Sequence, residues 1–243
     1  MRIIITRPEE DTATTIAALE EVGHEGISAP LITIEAQFDT EIPPREWQGV
    51  LVSSANGVRA LVERSEAVGL AHVPLLAVGE ASASAANKAG FRDVKSANGG
   101  LPELVALAQK HFSPAAGPLL YLSGTVISGD LKSELEGYGF QVHRAEIYTA
   151  KAAEKLPSEA LEALKLESVD GVGLFSRRSA KIWAELASST GLDGVASKLV
   201  HICLSPAVAN EIESNSPADG IPKMLIAGSP DLKGFLKALQ NVH

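Results

Sequence analysis

The sequence predicts an α/β protein with parallel sheets, and two patterns support this prediction. Short runs rich in Val, Ile and Leu alternate with amphipathic stretches, several of which end at glycine. Continuous apolar runs are typical of parallel strands covered on both faces, and their alternation with helices favours right-handed crossovers. The strand-like runs are residues 2–6, 26–34, 49–52, 75–78, 93–96, 119–122, 141–148, 171–175, 199–204 and 224–226. Because these strands are too many for one small sheet, we expect two sheets of five.

The helices are expected between these strands. The first spans about residues 9–22, because Pro8 suits a helix start and Gly23 suits a helix end. Most of the others begin where a predicted strand ends. They follow Ser54, Gly79, Pro102, Gly124, Pro157, Arg177, Ser205 and Pro230.

An internal repeat indicates two similar domains. The strand and helix that open the chain recur from residue 119 onward, and residues 47–54 resemble residues 169–176. The repeat allows two organisations. Either one cut near residue 116 separates consecutive domains, or the N-terminal βαβ unit joins the C-terminal third of the chain and the middle forms the second domain.

The composition argues against several classes of protein. A formal net charge of −9 disfavours non-specific binding to nucleic acid or to an anionic membrane, and an aromatic content of 5% leaves few side chains for stacking on bases. No apolar run approaches the roughly 18 residues of a membrane span, and no signal peptide is evident at the N-terminus, so a cytoplasmic protein is expected. The single cysteine and the six histidines show no ligand spacing, so no metal is expected.

Small polar residues at the ends of the predicted strands are candidate binding residues. The usual nucleotide-binding, zinc-protease and nucleophile-elbow motifs are missing. Ligands of parallel sheets bind at the carboxyl ends of the strands, where helix N-termini offer N–H groups to carboxylate or phosphate. The same residues are also common as helix caps without a binding role. The segments begin at Thr6, Ser53, Gly79, Ser123, Ser176, Leu204 and Gly228.

Several short motifs, taken in order, resemble the uroporphyrinogen-III synthase family over essentially the whole chain. They are Ile5-Thr6-Arg7-Pro8, Ala29-Pro30-Leu31-Ile32, Val52-Ser53-Ser54-Ala55-Asn56-Gly57-Val58, Val78-Gly79-Glu80-Ala81-Ser82-Ala83, Ala145-Glu146-Ile147-Tyr148-Thr149 and Phe175-Ser176. The resemblance implies the discontinuous organisation, with residues 1–35 and 150–243 in one domain and 37–148 in the other. Both domains would be flavodoxin-like, joined by a two-stranded hinge beside a substrate cleft.

The resemblance also implies an activity. The family cyclises hydroxymethylbilane, a linear tetrapyrrole polycarboxylate, to uroporphyrinogen III in porphyrin and heme biosynthesis. Water is lost, ring D is inverted and no cofactor is used, so the enzyme is expected to be a lyase. Its partner would be this small molecule, and a monomer is expected. The alternative is a two-domain protein that binds a small molecule without catalysis.

Individual residues match the family pattern. Tyr148 matches a tyrosine of the cleft that could act as a general acid on the departing hydroxyl, although it could equally be a packing residue. The expected substrate-binding residues are Thr6, Arg7, Ser53, Ser54, Asn56, Gly79, Ser82, Ser123, Gly124, Ser176, Arg177 and Ser205.

Two departures from the family pattern bear on this prediction. Val208 stands where the family often has a threonine, so it brings no hydroxyl. Ser123-Gly124 stands where the family often has Arg-Gly, which removes one cation from the edge of the cleft.

Overall fold

A computed structural model describes residues 1–216 and 221–240 of the chain. The strands are β1 (Arg2–Ile5), β2 (Glu25–Ser28), β3 (Ile32–Ala36), β4 (Gly49–Val52), β5 (Leu75–Ala77), β6 (Val94–Ser96), β7 (Leu119–Gly124), β8 (Val142–Ala152), β9 (Gly171–Leu174), β10 (Val200–Cys203) and β11 (Met224–Ile226). The helices are α1 (Glu9–Glu20), α2 (Ala55–Val62), α3 (Glu66–Leu70), α4 (Glu80–Lys88), α5 (Leu101–His111), α6 (Leu131–Gly137), α7 (Ser158–Lys165), α8 (Arg177–Ser189), α9 (Asp193–Ala196), α10 (Pro206–Asn215) and α11 (Leu232–Leu239).

The chain forms two compact units. The first unit contains Met1–Thr33 and the described residues from Lys151 onward, and the second unit is Ile34–Ala150. The chain therefore enters the second unit along β3 and leaves it along β8, and these two strands are neighbours in one sheet. Helices alternate with strands in both units, which confirms the predicted α/β class.

The first unit contains a five-stranded sheet in the order β11-β10-β9-β1-β2, in which every pair is parallel. Its interior strand β1 contains three consecutive isoleucines with no exposed side chain, because both faces of the strand are covered. Trp183 packs in the core on one face, and Phe235 packs with Ile3 and Ile5 on the other.

The second unit contains a six-stranded sheet in the order β3-β8-β7-β4-β5-β6. The five strands from β8 to β6 are parallel. Strand β3 runs the other way, because Ala153 N–H donates to Leu31 O whereas Gln37 N–H donates to Ile147 O. The sheet is therefore mixed at this edge, where the sequence predicted only parallel pairing.

The expectation of two sheets of five strands was wrong for one physical reason. The predicted run of residues 26–34 is two strands, β2 in the first sheet and β3 in the second. Pro30 lies between them and has no N–H to donate, so it interrupts the ladder of hydrogen bonds there. The segment around Pro30 is thus where the chain changes sheet.

The helix boundaries follow the predicted signals with two exceptions. Helix α1 begins directly after Pro8, and Gly23 beyond its end has a φ of +80° that suits glycine. The helix expected directly after Gly124 begins only at Leu131, where Asp130 accepts a hydrogen bond from Ser133 N–H at 3.0 Å. Strand β7 extends to Gly124 instead. The short helices α3 and α9 were not predicted.

None of the helices within residues 1–216 and 221–240 is long and apolar enough to cross a membrane. The same residues contain no group of three acidic, histidine or cysteine side chains that could hold a metal ion. His243, one of the six histidines considered above, lies outside the described residues.

Candidate functional site

Polar side chains converge at the carboxyl edge of the sheet in the second unit. Ser53 and Ser54 follow β4, Ser123 and Gly124 end β7, and Tyr148 lies on β8. These strands are neighbours in the order β8-β7-β4, and all three are parallel. Since parallel strands bring their carboxyl ends to the same edge, five of the predicted site residues lie together.

A β-bulge places Tyr148 at this edge. Ser123 pairs with Glu146, but the next residue of β7, Gly124, pairs with Tyr148, so Ile147 is the extra residue of β8. Bulges turn side chains away from the regular alternation and are frequent beside active sites. Here the bulge brings Tyr148 opposite the one residue of β7 that has no side chain.

Tyr148 lies directly over Gly124. A Cβ atom on Gly124 would lie 2.7 Å from Cε2 and 2.9 Å from Cζ of the tyrosine ring. The ring also packs in the core with Ala145 and Ile147, and only 8% of the residue is exposed. The tyrosine is therefore held by packing on several sides, with little freedom to change rotamer.

Burial raises the pKa of the Tyr148 hydroxyl above its ordinary value. The Ser54 hydroxyl, the Gly124 backbone and the positive charge of Arg144 oppose this rise by favouring the phenolate. Because a tyrosine hydroxyl ordinarily has a pKa of about 10 and burial raises it, Tyr148 is protonated at neutral pH. Tyr148 can thus donate a proton, and these three groups can stabilise the negative charge that remains.

A second tyrosine, Tyr121 on β7, belongs to the same cluster and was missed by the sequence analysis. Its hydroxyl lies 2.8 Å from Ser53 Oγ, and the residue is 1% exposed. Burial raises its pKa too. The signal was a single hydroxyl inside the apolar run Leu119-Leu120-Tyr121-Leu122, since a buried phenol usually has a hydrogen-bond partner.

Arg144 on β8 was also missed, although it supplies the only arginine in this cluster of described residues. Its Nε donates to Ser123 Oγ at 2.8 Å, and its Nη2 donates to Gly124 O at 2.8 Å. Ser123 replaces a cation of the family pattern. Arg144, on the neighbouring strand, supplies a cation at the same place. The alternation of Arg144 and Glu146 along β8 was the signal for a polar face.

The segment that follows β3 supports β8 beside Tyr148. Gln37 N–H donates to Ile147 O, and the Thr40 hydroxyl donates to Glu146 O at 2.7 Å. The buried guanidinium of Arg64 binds the carbonyl oxygens of both Gln37 and Thr40, each at 2.6 Å. These bonds fix β8 at its bulge from the side opposite to β7.

Three other predicted residues of the second unit lie near helix starts. Asn56 is in the first turn of α2, and its Oδ1 accepts a hydrogen bond from Arg59 Nη1 at 2.9 Å. Gly79 caps α4, and Ser82 lies 4% exposed in the first turn of that helix. Within the described part of the chain, neither Gly79 nor Ser82 shares the hydrogen bonds that join the Tyr148 cluster.

In the first unit, the predicted residues lie at the carboxyl edge of the other sheet. The Thr6 hydroxyl donates to Gly173 O at 2.6 Å and is buried. Arg7 forms an ion pair with Asp11 at 3.0 Å and lies 5.0 Å from the centroid of the Phe175 ring. Both side chains thus have structural partners within their own unit.

Ser176, Arg177 and Ser205 lie at helix starts of this first unit. Ser176 Oγ accepts a hydrogen bond from Ser179 N–H at 3.0 Å and caps α8. Ser205 occupies the cap position of α10 without a side-chain cap bond, and Arg177 is exposed at the start of α8. Val208, the residue that departs from the family pattern, is 3% exposed and packs in the core.

The contact between Gly124 and Tyr148 makes a stability prediction. Gly124→Ala is expected to lower the free energy of unfolding by about 2 kcal/mol, because a new Cβ atom must displace the ring or the end of β7. Gly137→Ala is the matched control, since its Cβ would meet nothing within 4 Å and alanine favours the helix. Urea unfolding measures both. Equal stability of the two variants would contradict the close packing of Tyr148 on Gly124.

Solved structures of known proteins share this fold. A uroporphyrinogen-III synthetase from Helicobacter pylori matches with a TM-score of 0.67 and 19% identity, and the match covers 100% of both chains. A mutant uroporphyrinogen III synthase from the extremely thermophilic bacterium Thermus thermophilus matches with a TM-score of 0.56 and 18% identity over 99% of each chain. The chain therefore has the two-domain α/β fold of these structures.

The sequence itself matches a known family. No curated protein matches the sequence. The model of one family, described as Uroporphyrinogen-III synthase HemD, matches residues 13–237. Because this match spans nearly the whole chain, the protein belongs to the uroporphyrinogen-III synthase family.

Proposed function

We propose that the protein is a uroporphyrinogen-III synthase, a lyase that closes hydroxymethylbilane to uroporphyrinogen III with loss of water and inversion of ring D. In this proposal it acts in tetrapyrrole and heme biosynthesis, in the cytoplasm and as a monomer. Family membership over residues 13–237 supports an enzyme of this pathway. The cluster around Tyr148 supports the chemistry.

The single observation that carries the mechanism is the Tyr148 ring packed against Gly124, with its hydroxyl beside groups that can stabilise a phenolate. The reaction begins when the carbon–oxygen bond of the hydroxymethyl group breaks. Electrons from the attached pyrrole expel the oxygen, and the Tyr148 hydroxyl donates a proton so that water leaves. The Ser54 hydroxyl, the Gly124 backbone and Arg144 then face the phenolate charge.

Ring closure follows, and it needs one acceptor for the proton that ring D finally releases. The cationic first ring is attacked by the substituted carbon of ring D, which forms a spiro intermediate. The bond from that carbon to the methylene bridge of the preceding ring then breaks, which leaves the bridge carbon cationic. The other α-carbon of ring D attacks this bridge carbon, and the proton that it loses returns to the Tyr148 phenolate, so that ring D is inverted and the tyrosine is restored. The protein must hold the last ring in this orientation, and such positioning can contribute about 7–11 kcal/mol in favourable cases.

The carboxylates of the substrate need donors on an acidic protein. Helices α2 and α8 begin at the carboxyl edges of the two sheets, after Ser54 and Ser176. The N–H groups that the caps leave unbonded in their first turns suit carboxylates, and backbone donors add no positive side chains to a chain with a net charge of −9. Ser54, Ser176 and the other substrate-binding residues proposed from the sequence stay predictions, as does the absence of a cofactor.

The isomer produced from hydroxymethylbilane tests the proposal. The purified protein is expected to yield mainly uroporphyrinogen III, whereas the same buffer without protein yields the uninverted type I isomer by unaided closure. Chromatographic separation of the oxidised porphyrins measures the ratio. A mixture indistinguishable from the buffer control would exclude synthase activity, and tight binding without conversion would favour the non-catalytic alternative.

A further inference from the structure

Arg144 joins the two strands that hold Tyr148. Its Nε donates to Ser123 Oγ at 2.8 Å, and its Nη2 donates to the carbonyl oxygens of Gly124 and Thr125 at 2.8 and 3.2 Å. A planar guanidinium holds several acceptors in fixed directions, which a lysine ammonium cannot reproduce. Arg144 therefore fixes the backbone of residues 123–125 relative to β8.

Residues 123–125 in turn hold Tyr148. Thr125 N–H donates to Tyr148 O at 3.0 Å, and the hydroxyls of Thr125 and Thr149 lie 3.1 Å apart. The ring of Tyr148 rests on Gly124, where even one added carbon would clash. A shift of residues 123–125 would thus move both the surface under the ring and the backbone that faces its hydroxyl.

The charge of Arg144 acts on the same group. Its guanidinium lies 3.3 Å from Glu146, while Asp130 and Tyr121 are also close enough to interact with it electrostatically. Its side chain is only 21% exposed, so its charge is partly shielded from water. Burial and Tyr121 raise the pKa of Tyr148, and Arg144 opposes them.

We propose that Arg144 is a positioning residue for Tyr148, which holds the end of β7 so that the tyrosine hydroxyl is fixed where it donates its proton. This inference rests on the proposed function, in which Tyr148 is the acid. Arg144 acts through Tyr148, and its removal therefore has little further effect once the tyrosine hydroxyl is gone.

A double-mutant cycle tests this dependence. Arg144→Gln is expected to lower kcat about tenfold in the chain that contains Tyr148, with KM nearly unchanged, and less than about twofold in the Tyr148→Phe chain. Lys132→Gln is the matched control, because it removes a partly exposed cation on α6 whose ion pair with Glu136 is loose, at 3.7 Å. Its kcat is expected to stay unchanged. Equal factors for Arg144→Gln with and without the tyrosine hydroxyl would overturn the proposal.

A second variant covers the case in which Arg144→Gln does not fold. Arg144→Lys keeps the charge but loses the fork of donors, and its smaller loss of kcat is expected to vanish in the Tyr148→Phe chain in the same way. Circular dichroism verifies the fold of each variant. A loss that persists in the Tyr148→Phe chain would again contradict the proposal.

A titration separates this proposal from the proposed function. The ultraviolet absorbance of tyrosinate is measured against pH for each chain and for its Tyr148→Phe counterpart, and the difference reports Tyr148 alone. Removing the cation in Arg144→Gln is expected to move this titration to higher pH. If the chain lacks synthase activity, the proposed function fails, and the titration still shows whether Arg144 acts on the Tyr148 hydroxyl: a shift supports this coupling, and no shift refutes it.

Discussion

Tyr148→Phe is expected to lower kcat for the conversion of hydroxymethylbilane by about 10²–10⁴-fold, the usual contribution of a general acid. The phenylalanine ring can keep the place of the tyrosine ring, because the shortest contacts at Gly124 are made by ring carbons and the ring packs in an apolar core. Only the hydroxyl is lost, with its interactions with Ser54 and the Gly124 backbone. Stability is therefore expected to change by no more than about 1 kcal/mol.

Tyr138→Phe is the matched control for this variant. Tyr138 caps the end of α6 and is 57% exposed, so its hydroxyl has no part in the cluster. Steady-state kinetics and urea unfolding of both variants give rate and stability separately. An unchanged kcat for Tyr148→Phe would show that Tyr148 is not the acid. A large loss of stability would show that the substitution lowers the rate by disturbing the packing.

The fold was predictable from the sequence where local chemistry alone decides it. The Ile run of β1 and the Pro8 and Gly23 signals around α1 each predict their element without help from distant residues. The run of residues 26–34 was wrongly predicted as one strand, because the pattern of apolar residues does not show which sheet a strand joins. Pro30 was the local sign of a break, and the antiparallel pairing of β3 depends on contacts with a strand more than one hundred residues away.

The candidate site was predictable only in part, for the same reason. Ser53, Ser54 and Ser123 follow from the rule that strand ends carry polar residues, and Tyr148 came from the family resemblance. Arg144 and Tyr121 depend on the register between β7 and β8, in which these two residues are direct partners. No property of either residue in the sequence reveals that register, and the bulge at Ile147 then shifts the pairing of Tyr148 by one residue.

The register also explains how an acidic chain can present a cation at the predicted edge. A single guanidinium on β8 reaches two residues of β7 that have no charge of their own. The guanidinium is thereby held by the sheet rather than by a mobile loop. Because it is already ordered, little side-chain entropy is lost when it orients a neighbouring group. The positive charge of the cluster is therefore held on the strands of the second unit.

Acidification is expected to destabilise the protein through His201, far from Tyr148 in the sequence. His201 is 3% exposed, and burial lowers its pKa from 6.5 to about 4. Its Nδ1–H donates to Leu199 O, and its Nε2 accepts from Trp183 Nε1, both at 3.2 Å. A second proton on Nε2 would face the Trp183 N–H, so the folded state favours the neutral ring.

The direction of this change in stability follows from the pKa values of His201 in the unfolded and folded chains. Between pH 6.5 and pH 4 the unfolded chain binds a proton that the folded chain does not, so the stabilising contribution is complete above pH 6.5 and is lost as the pH falls towards 4. The loss reaches at most about 3.5 kcal/mol, from about 1.4 kcal/mol for each unit of pKa difference. Urea unfolding at intervals from pH 7 to pH 4 measures it.

Two variants separate His201 from the carboxyl groups that titrate in the same range. His201→Gln keeps an oxygen that can accept from Trp183 but has no proton to gain, so its stability should fall less steeply with acid than that of the unaltered chain. His72→Gln, at an exposed position, should keep the original slope. Carboxyl groups contribute equally to all three chains, and the difference in slope therefore reports His201 alone. Parallel curves for His201→Gln and the unaltered chain would show that the buried imidazole does not couple protonation to folding.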